Sequence, residues 1–300
     1  MEREKVLLIY NPHAGKGTMK NKLSDAMEIF MKAGFEVTVY ATMEQGEASE
    51  IVCEKGEAYS RVICSGGDGT LHEVTQGLMQ LPQETRPKCG YIPTGTVNDF
   101  ATGIKLPKRI LRAAEVASGD ACHAYDIGEM NGQYFTYVAA FGAFTAVSYE
   151  TPQATKNLLG KTAYILEGVS KLNSIKSIPV KVTADGIEWE EECILGMVTN
   201  AKSIGGLKLF RKKKVKLDDG YFDGIFVKTP KNPIELNQVM NYLLTGEPNQ
   251  QIYMLQGSRI EIETENEVAY TLDGESGGSY TRAVIENHKQ AITYFHGLAK

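Results

Sequence analysis

Apolar residues in the N-terminal part of the chain form short continuous runs that alternate with stripes of helical spacing. Runs such as Val6–Tyr10 and Arg61–Cys64 are typical of parallel strands that are covered on both faces. A stripe such as Leu71, Val74 and Leu78 is typical of a helix with one buried face. Repeated strand–helix units predict a doubly wound α/β domain, in which ligands lie at the carboxyl ends of the strands.

From about Gly128 the pattern changes to short β-rich runs, which predict a mainly antiparallel β-sandwich. Two helices are expected within it, at 156–172 and 233–244. The predicted strands are Tyr134–Val138, Pro179–Ala184, Cys193–Thr199, Phe222–Lys228, Ser258–Glu263, Val268–Leu272, Ala283–Glu286 and Ala291–Phe295. We therefore expect an α/β domain over 1–128, a sandwich domain over 129–287, a tail at 288–300 that can join the first domain, and a cleft between the domains.

Composition narrows the classes of function. A net charge of −5 over 300 residues argues against a general nucleic-acid binder. The five cysteines have no CxxC spacing, so we expect reduced thiols in a cytoplasmic protein. The N-terminus lacks a signal-peptide pattern, and no run approaches the roughly 18 apolar residues of a membrane span. Any contact with a membrane is expected at its surface.

The turn Ser65–Thr70 is the most informative stretch of the sequence. Its three glycines leave the backbone N–H groups open to a ligand, and a predicted helix follows, so the turn is suited to bind an anion. The carboxylate of Asp68 would repel a phosphate. It is suited to a site in which Mg²⁺ lies between them, or in which the acid acts on an attacking nucleophile.

Two further polar loops follow predicted strands. Asn11–Gly17 could bind phosphates through its backbone and Lys16, although a capped turn with a solvated lysine explains it equally well. It lacks the spacing of a Walker A loop. The loop Pro93–Ala101 places several polar side chains beside one glycine, and the simpler alternative is a helix N-cap at Asn98. All three loops are expected at one edge of the sheet.

Two acidic turns lie in the second half of the chain. Lys216–Asp223 places three acids around Gly220, which suits a hard cation such as Mg²⁺, whereas a β-hairpin with Asp-Gly at its bend explains the same residues without a metal. Asp273-Gly274-Glu275 places acids at a predicted strand end, and here too a hairpin turn is the alternative.

Taken together and in this order, four motifs resemble those of the soluble bacterial diacylglycerol kinases and related lipid kinases. The motifs are Gly66–Thr70, Pro93–Ala101, Asp219–Asp223 and Asp273–Glu275. Gly-Gly-Asp-Gly-Thr is shared with NAD kinases and, more loosely, with phosphofructokinases, whereas the long Pro93–Ala101 loop is typical of the lipid kinases. The resemblance implies a phosphofructokinase/NAD-kinase-like α/β domain that binds ATP, followed by a β-sandwich domain that binds lipid.

The resemblance also implies residue roles. Glu275 would accept the proton of the lipid hydroxyl, and Asp68 and Asp99, with Lys16 and Asp126 behind them, would surround the catalytic Mg²⁺. A structural Mg²⁺ would be bound by Asp219 and by main-chain oxygens near Lys216 and Tyr221. The nucleotide site would comprise Asn11, Pro12, His13, Ala14, Gly15, Thr42, Gly66, Gly67, Asp68, Gly69, Thr70, Leu71, His72, Glu73, Thr96 and Asn98.

The sequence therefore predicts an ATP- and Mg²⁺-dependent lipid kinase, with diacylglycerol as the expected substrate and phosphatidic acid as the product. The alternatives are an NAD kinase and a catalytically silent nucleotide- or lipid-binding regulator. The basic run at 211–214 and the amphipathic helix at 156–172 are candidates for peripheral contact with the inner face of the membrane. A solvated loop and an ordinary packed helix are their alternatives, and exposed sandwich edges leave a homodimer open.

Overall fold

A computed structural model describes residues 3–143, 176–201, 203–205, 207–210 and 215–297. The chain divides into two compact units. Unit 1 comprises Met1–Ile127, Tyr134–Thr136 and His288–Lys300, and unit 2 comprises Gly128–Gln133 and Tyr137–Asn287. The predicted basic run at 211–214 and the predicted helix at 156–172 lie outside the described residues.

Unit 1 contains a parallel sheet in the order β2-β1-β3-β4. The end of β15 adds a fifth parallel strand, because Tyr294 pairs with Cys89 of β4. The four N-terminal strands are β1 (Lys5–Tyr10), β2 (Glu36–Ala41), β3 (Arg61–Gly66) and β4 (Lys88–Pro93), and the last is β15 (Glu275–Phe295). All residues of β3 are buried, as expected for a strand covered on both faces.

Helices follow these strands as the periodicity predicts. Their bounds are α1 (Leu23–Lys32), α2 (Glu47–Lys55), α3 (Asp68–Gln80), α4 (Asp99–Gly103) and α5 (Ile110–Ser118). One core cluster joins α1 and α5 to the sheet through residues such as Leu8, Phe30, Ile63 and Ala114. A stripe of small alanines on α5 lets this helix lie close to the strands. The glycine-rich loops are thereby left at the carboxyl ends of β1, β3 and β4.

Unit 2 is mainly antiparallel. Its strands pair in the order β13-β12-β9-β7-β14, with β8 pairing both β9 and β14, and β14 also pairing β15. The strands not yet given are β5 (Cys122–Met130), β6 (Gln133–Phe135), β7 (Val138–Gly142), β8 (Ile178–Ala184), β9 (Ile187–Thr199), β10 (Ser203–Ile204), β11 (Leu207–Lys208), β12 (Phe222–Lys228), β13 (Ile252–Gly257) and β14 (Arg259–Leu272). Helix α6 (Pro233–Thr245) matches the prediction within one residue.

Two pairs of predicted strands are single long strands in the structure. Ser258–Glu263 and Val268–Leu272 belong to the one strand β14, and the last two predicted strands belong to β15. The polar residues between the two predicted parts of β14, 264–267, are mostly exposed and lie where the β14–β15 register shifts, after Glu263. The corresponding residues of β15, 287–290, are half-buried or exposed. A hydrophobicity pattern cannot distinguish an exposed, irregular part of a strand from a loop, so the predicted breaks were wrong.

Arg61 is a buried cation at the start of β3, the central strand of the sheet in unit 1. Its guanidinium lies 4.3 Å from the ring centroid of Phe35 and 4.5 Å from that of Phe295, and it donates to the carbonyl oxygens of Ala117 and Gly119 at 3.0 and 2.5 Å. These contacts join β3 to the end of α5 and to the last strand.

We expect Arg61→Leu to lower the free energy of unfolding by about 3 kcal/mol, because buried carbonyl oxygens lose a charged donor and two rings lose a cation–π contact. Urea titration followed by circular dichroism measures this change. Arg112→Leu is the matched control, because the exposed Arg112 pairs with its helix neighbour Glu115 alone among the described residues, and a shift within about 0.5 kcal/mol is expected. Equal effects of the two substitutions would contradict the assignment.

Candidate active site

The loop after β1 packs directly on the ends of β3 and β4. Asn11 donates its backbone N–H to the Ser65 carbonyl at 2.9 Å, and its side-chain Nδ2 lies 3.5 Å from Thr70 Oγ1. Gly15 has φ +58°, and a Cβ there would overlap the carbonyl oxygen of Thr94. The glycine is therefore required both by the backbone conformation and by the close approach of the two loops.

The turn after β3 leads directly into α3, whose first residue is Asp68. A Cβ on Gly66 would overlap the Thr70 side chain, and a Cβ on Gly95 would lie 2.5 Å from Gly67 Cα. The second and third loops thus meet through their glycine backbones. The three loops thus meet beside the N-terminus of α3, whose first N–H groups have no partner within the helix, and this arrangement suits an anion.

Asn98 organises the third loop. Its Oδ1 accepts from the Gly95 N–H and from the Tyr91 hydroxyl, each at 3.1 Å, and its Nδ2 donates to the Gly95 carbonyl at 2.8 Å. Asn98 stands at the N-cap position of α4 in the left-handed conformation, with φ 55°, and its side chain forms no capping bond to that helix. Asn98 is therefore the N-cap residue with an acid, Asp99, in the first turn, as the simpler interpretation had it, but its side chain holds the loop instead of capping the helix.

Two of the three predicted catalytic aspartates of unit 1, Asp68 and Asp99, are adjacent. The backbone N–H of Asp99 lies 3.4 Å from Asp68 Oδ2, which ties the first turn of α4 to that of α3. Asp99 is buried and Asp68 is half-buried. Nearby in the chain, the Ser65 and Thr94 hydroxyls are buried and have no hydrogen-bond partner among the described residues. An all-oxygen set beside open N–H groups fits Mg²⁺ with phosphate oxygens.

The remaining predicted nucleotide residues surround these loops or support them. Thr42 is buried at the end of β2 and donates its N–H to the Tyr10 carbonyl at 3.0 Å. Glu73 Oε2 accepts from the Ala48 N–H at 3.3 Å, at the start of α2. His72 is buried near Gln76, and the side chain of Leu71 is part of the core, so a ligand could meet Leu71 only through its backbone.

Lys16, Thr96 and Asp126 have different surroundings. Lys16 and Thr96 are exposed, and Lys16 forms no ion pair within the described part of the chain. Asp126 lies buried in β5, where its Oδ1 accepts from the Gln290 N–H at 2.8 Å. The exposed lysine is thus available to a ligand charge, whereas Asp126 is held by the returning C-terminal strand.

Glu275 is the first residue of β15 in unit 2. It pairs with Leu272 across the turn Asp273-Gly274, whose φ values are 54° and 91°. Two central residues with positive φ make this a tight hairpin turn, so the hairpin interpretation of this motif was correct. The Glu275 carboxylate is half-buried, and it forms no hydrogen bond or ion pair with the residues that the structure describes.

The Asp219 turn is not the bend of a hairpin. β12 pairs with β9 and β13, and the described residues immediately before it, 215–220, contain no strand. Asp219 Oδ1 accepts from the Tyr221 N–H at 3.2 Å, while Lys216 and Tyr221 are exposed. No group of three or more His, Cys, Asp or Glu side chains is arranged for a metal in the described ranges. A cation here would be held by one carboxylate and main-chain carbonyls.

Comparison with known proteins covers nearly the whole chain. Residues 5–130 match the family model of the diacylglycerol kinase catalytic domain, and residues 138–293 match that of the YegS C-terminal NAD kinase beta sandwich-like domain. A diacylglycerol kinase of Staphylococcus aureus strain Newman is 37% identical over 279 residues, which is 92% of this chain and 87% of the relative. The chain belongs to the bacterial diacylglycerol kinase family. The resemblance inferred from the motifs is thereby confirmed.

Solved members of the diacylglycerol kinase family share the fold. A diacylglycerol kinase from Bacillus anthracis str. Sterne aligns over 99% of this chain and 98% of its own, with a TM-score of 0.78 and 30% identity. A second Bacillus anthracis structure covers the same shares with a TM-score of 0.84 and 33% identity. The predicted fold class, an α/β catalytic domain and a β-sandwich-like domain, is confirmed.

The chain is thus a member of a lipid kinase family, and membership of a kinase family implies that it uses ATP. The catalytic family model spans all three loops of unit 1, and the second model spans Glu275. Among the helices of the described ranges, none has both the length and the apolar character needed to cross a membrane.

Sequence reasoning missed Tyr91 as part of this kinase site. Tyr91 is buried in β4, and its hydroxyl lies 3.1 Å from Asn98 Oδ1 and 3.4 Å from the Gly66 carbonyl, so one proton donor serves two loops. Burial, with the negative charge of Asp68, raises the pKa of the Tyr91 phenol. A tyrosine within an apolar strand resembles any core aromatic, so only the fold reveals its role.

We expect Tyr91→Phe to weaken nucleotide binding about fivefold, because a hydrogen bond worth about 1 kcal/mol no longer holds the two loops together. Titration calorimetry with ADP measures the affinity. Tyr242→Phe is the matched control, since Tyr242 is a buried tyrosine of unit 2 that donates to the Leu209 carbonyl at 3.1 Å. It should cost similar stability and leave ADP affinity unchanged; a loss in both variants would sink the assignment.

Proposed function

We propose that this kinase transfers the γ-phosphoryl group of ATP to the free hydroxyl of diacylglycerol, giving phosphatidic acid and ADP. The observation that carries the proposal is the meeting of three glycine-containing loops around the adjacent residues Asp68 and Asp99. The hydroxyl oxygen forms a bond to the γ-phosphorus, the bond to the β,γ-bridging oxygen breaks, and the hydroxyl proton moves to a carboxylate.

The loops of unit 1 would position the nucleotide. Backbone N–H groups of the Gly66–Thr70 turn at the N-terminus of α3 suit the phosphates. The Asn11–Gly15 loop lies against this turn, and its Asn11, His13 and Ala14 N–H groups are bonded to Ser65 and Asn11, so this loop would shape the site rather than supply most of its donors. Lys16 is exposed, and its charge can compensate that of a phosphate. Thr42, Thr96 and Asn98 are assigned to the same site, Asn98 through its hold on the loop rather than through direct contact.

Asp68 and Asp99 would hold the catalytic Mg²⁺, since carboxylate oxygens beside a phosphate site are the ligands that this cation prefers. When bound, Mg²⁺ would neutralise the charge of the transferring phosphoryl group. Asp126 is assigned a supporting place behind this pair, consistent with its burial in β5. A structural Mg²⁺ at Asp219, with main-chain oxygens near Lys216 and Tyr221, is part of the same proposal.

Glu275 is assigned the role of general base. Its carboxylate is half-buried and forms no hydrogen bond with the described residues, so both oxygens are available to a hydroxyl proton. In a loose phosphoryl-transfer transition state the proton leaves late, so an ordinary carboxylate is a sufficient base. Because diacylglycerol resides in membranes, we place the enzyme in the cytoplasm with peripheral contact to the inner face of the membrane.

The proposal is tested by incubating the protein with Mg²⁺ and γ-³²P-labelled ATP against mixed micelles that each contain one lipid. The lipids are diacylglycerol, phosphatidylglycerol, a polyprenol and a sphingoid base, and a parallel tube contains NAD without lipid. Label in phosphatidic acid is the expected result. Label in another lipid would retain the lipid kinase and correct its substrate. Label in NAD alone, or nucleotide binding without any transfer, would overturn the proposal.

A further inference from the structure

The hairpin turn before Glu275 is hydrogen-bonded to the start of β7 through Asp273, the first residue of the turn. Asp273 is 3% exposed, and its Oδ1 accepts from the backbone N–H groups of Tyr137 and Val138 at 2.9 and 3.1 Å. The Asp273 N–H in turn donates to the Val138 carbonyl at 2.9 Å, and the Tyr137 hydroxyl to the Asp273 carbonyl at 3.2 Å. Four hydrogen bonds thus join one turn residue to the start of β7.

The receiving strand is itself fixed. The Tyr137 carbonyl accepts from Thr199 Oγ1 at 2.7 Å and from the Asn200 N–H at 3.0 Å. Asn200 Nδ2 then donates to the Leu217 carbonyl at 3.3 Å. The Tyr137 peptide is therefore bonded to β9 on one side and to the Asp273 turn on the other, so that it forms a rigid base for that turn.

The other half of the turn receives no comparable support. Gly274 has φ +91°, and a Cβ built on it would meet no atom within 4 Å. The orientation of Glu275 relative to the sheet therefore depends on the β14–β15 pairing and on the bonds made by Asp273. A hairpin turn with φ > 0 at both central residues accepts Asp, Asn or Gly at the first of them. The turn therefore does not require the Asp273 side chain to be buried, yet it is buried.

We propose that Asp273 is a positioning residue for phosphoryl transfer, which holds the Glu275 turn on the Tyr137–Val138 peptide so that the base meets the substrate hydroxyl. This inference rests on the proposed role of Glu275 as the base. Misplacing a reacting group by about 1 Å can lower a rate about 100-fold. We call the hydrogen bonds from Tyr137 and Val138 to the Asp273 side chain the clamp. All three residues belong to unit 2, whereas the proposed nucleotide loops belong to unit 1, so loss of the clamp should lower kcat and leave nucleotide affinity unchanged.

The chain offers a matched turn without Glu275. Asp185-Gly186 joins β8 to β9 with φ values of 45° and 88°, and Asp185 accepts from the N–H groups of Ser258 and Arg259 at 3.0 and 3.2 Å. It is the same kind of turn in the same unit, with a carboxylate that likewise accepts from two backbone N–H groups, but Asp185 is exposed whereas Asp273 is buried. Asp185→Gly therefore reports the cost of removing such hydrogen bonds from an Asp-Gly turn that does not carry Glu275.

The test compares Asp273→Asn and Asp273→Gly with Asp185→Gly, all in the full-length chain. Asn and Gly both tolerate the positive φ of the turn, but only Asn retains the Oδ1 acceptor. We expect Asp273→Gly to lower kcat for diacylglycerol phosphorylation about 10- to 100-fold with the KM for ATP unchanged. Asp273→Asn should restore kcat to within about threefold of the parent, because both N–H donors keep their acceptor. Asp185→Gly should leave kcat unchanged.

Hydrogen exchange at the Tyr137 and Val138 amides gives a readout that does not depend on activity. In Asp273→Gly their exchange should accelerate at least about tenfold, while the amides of β9 keep their protection. Normal kcat in Asp273→Gly, or an equal loss of kcat in Asp185→Gly, would overturn the inference. Failure of the base assignment is distinguishable, since in that case Glu275→Gln retains kcat whatever Asp273 does.

Discussion

Glu275→Gln is expected to lower kcat for lipid phosphorylation by about 10²- to 10⁴-fold, the range that general base catalysis contributes. Glutamine retains the shape and polarity of the side chain but cannot accept a proton. ADP affinity should be unchanged, because the three loops that carry the nucleotide proposal belong to unit 1 and contain no part of β15. Initial rates with saturating ATP and diacylglycerol, together with calorimetric titration of ADP, separate the two effects.

The structure also supplies a control for Glu275→Gln. Glu265 is an exposed carboxylate of β14 in the same unit, so Glu265→Gln removes the same charge without touching the turn. It should leave kcat unchanged. If Glu275→Gln kept the parent rate while binding ADP normally, the base would have to be another group. Equal losses in both variants would instead indicate an effect of net charge on the interaction with the lipid surface.

The sequence predicted the α/β unit closely because its signals are local. Continuous apolar runs such as Val6–Tyr10 mark buried parallel strands, and glycine-rich turns mark where those strands end. The meeting of the three loops followed from a rule of parallel sheets, namely that successive carboxyl ends share one edge. The close approaches of Gly15 to Thr94 and of Gly95 to Gly67 show why glycines were needed there.

The features that sequence reasoning missed depend on contacts between distant segments. Tyr91 resembles a core aromatic until the fold places its hydroxyl against Asn98. Asp273 resembles an ordinary turn residue until β7, more than a hundred positions earlier in the chain, supplies two N–H donors. The long strands β14 and β15 were divided because the polar stretches within them lose the alternation that defines a strand. The local sequence does not indicate which distant residues will be hydrogen-bonded across a sheet.

Gly15→Ala is expected to weaken nucleotide binding about 10- to 100-fold. A methyl group at this position meets two obstacles, since φ is +58° and the Cβ would overlap the Thr94 carbonyl oxygen. The left-handed conformation alone costs an alanine about 1–2 kcal/mol. The overlap is with backbone rather than with a flexible side chain, so the loop after β1 must move away from β4. Loss of two or three hydrogen bonds to the nucleotide, each worth about 1 kcal/mol, is enough for the larger loss.

Gly34→Ala is the control that separates the backbone strain of a positive φ from the steric overlap with the Thr94 carbonyl. Gly34 lies in the same unit with φ +96°, and a Cβ there would meet no atom within 4 Å. This control should therefore lower stability by about 1–2 kcal/mol, as any alanine in the left-handed region does, and leave ADP affinity at the parent value. Calorimetric titration with ADP and urea unfolding of both variants give the comparison. Normal ADP affinity in Gly15→Ala would show that nucleotide binding does not depend on the contact between the first and third loops. The proposed phosphate site would then comprise the Gly66–Thr70 turn and the N-terminus of α3 alone.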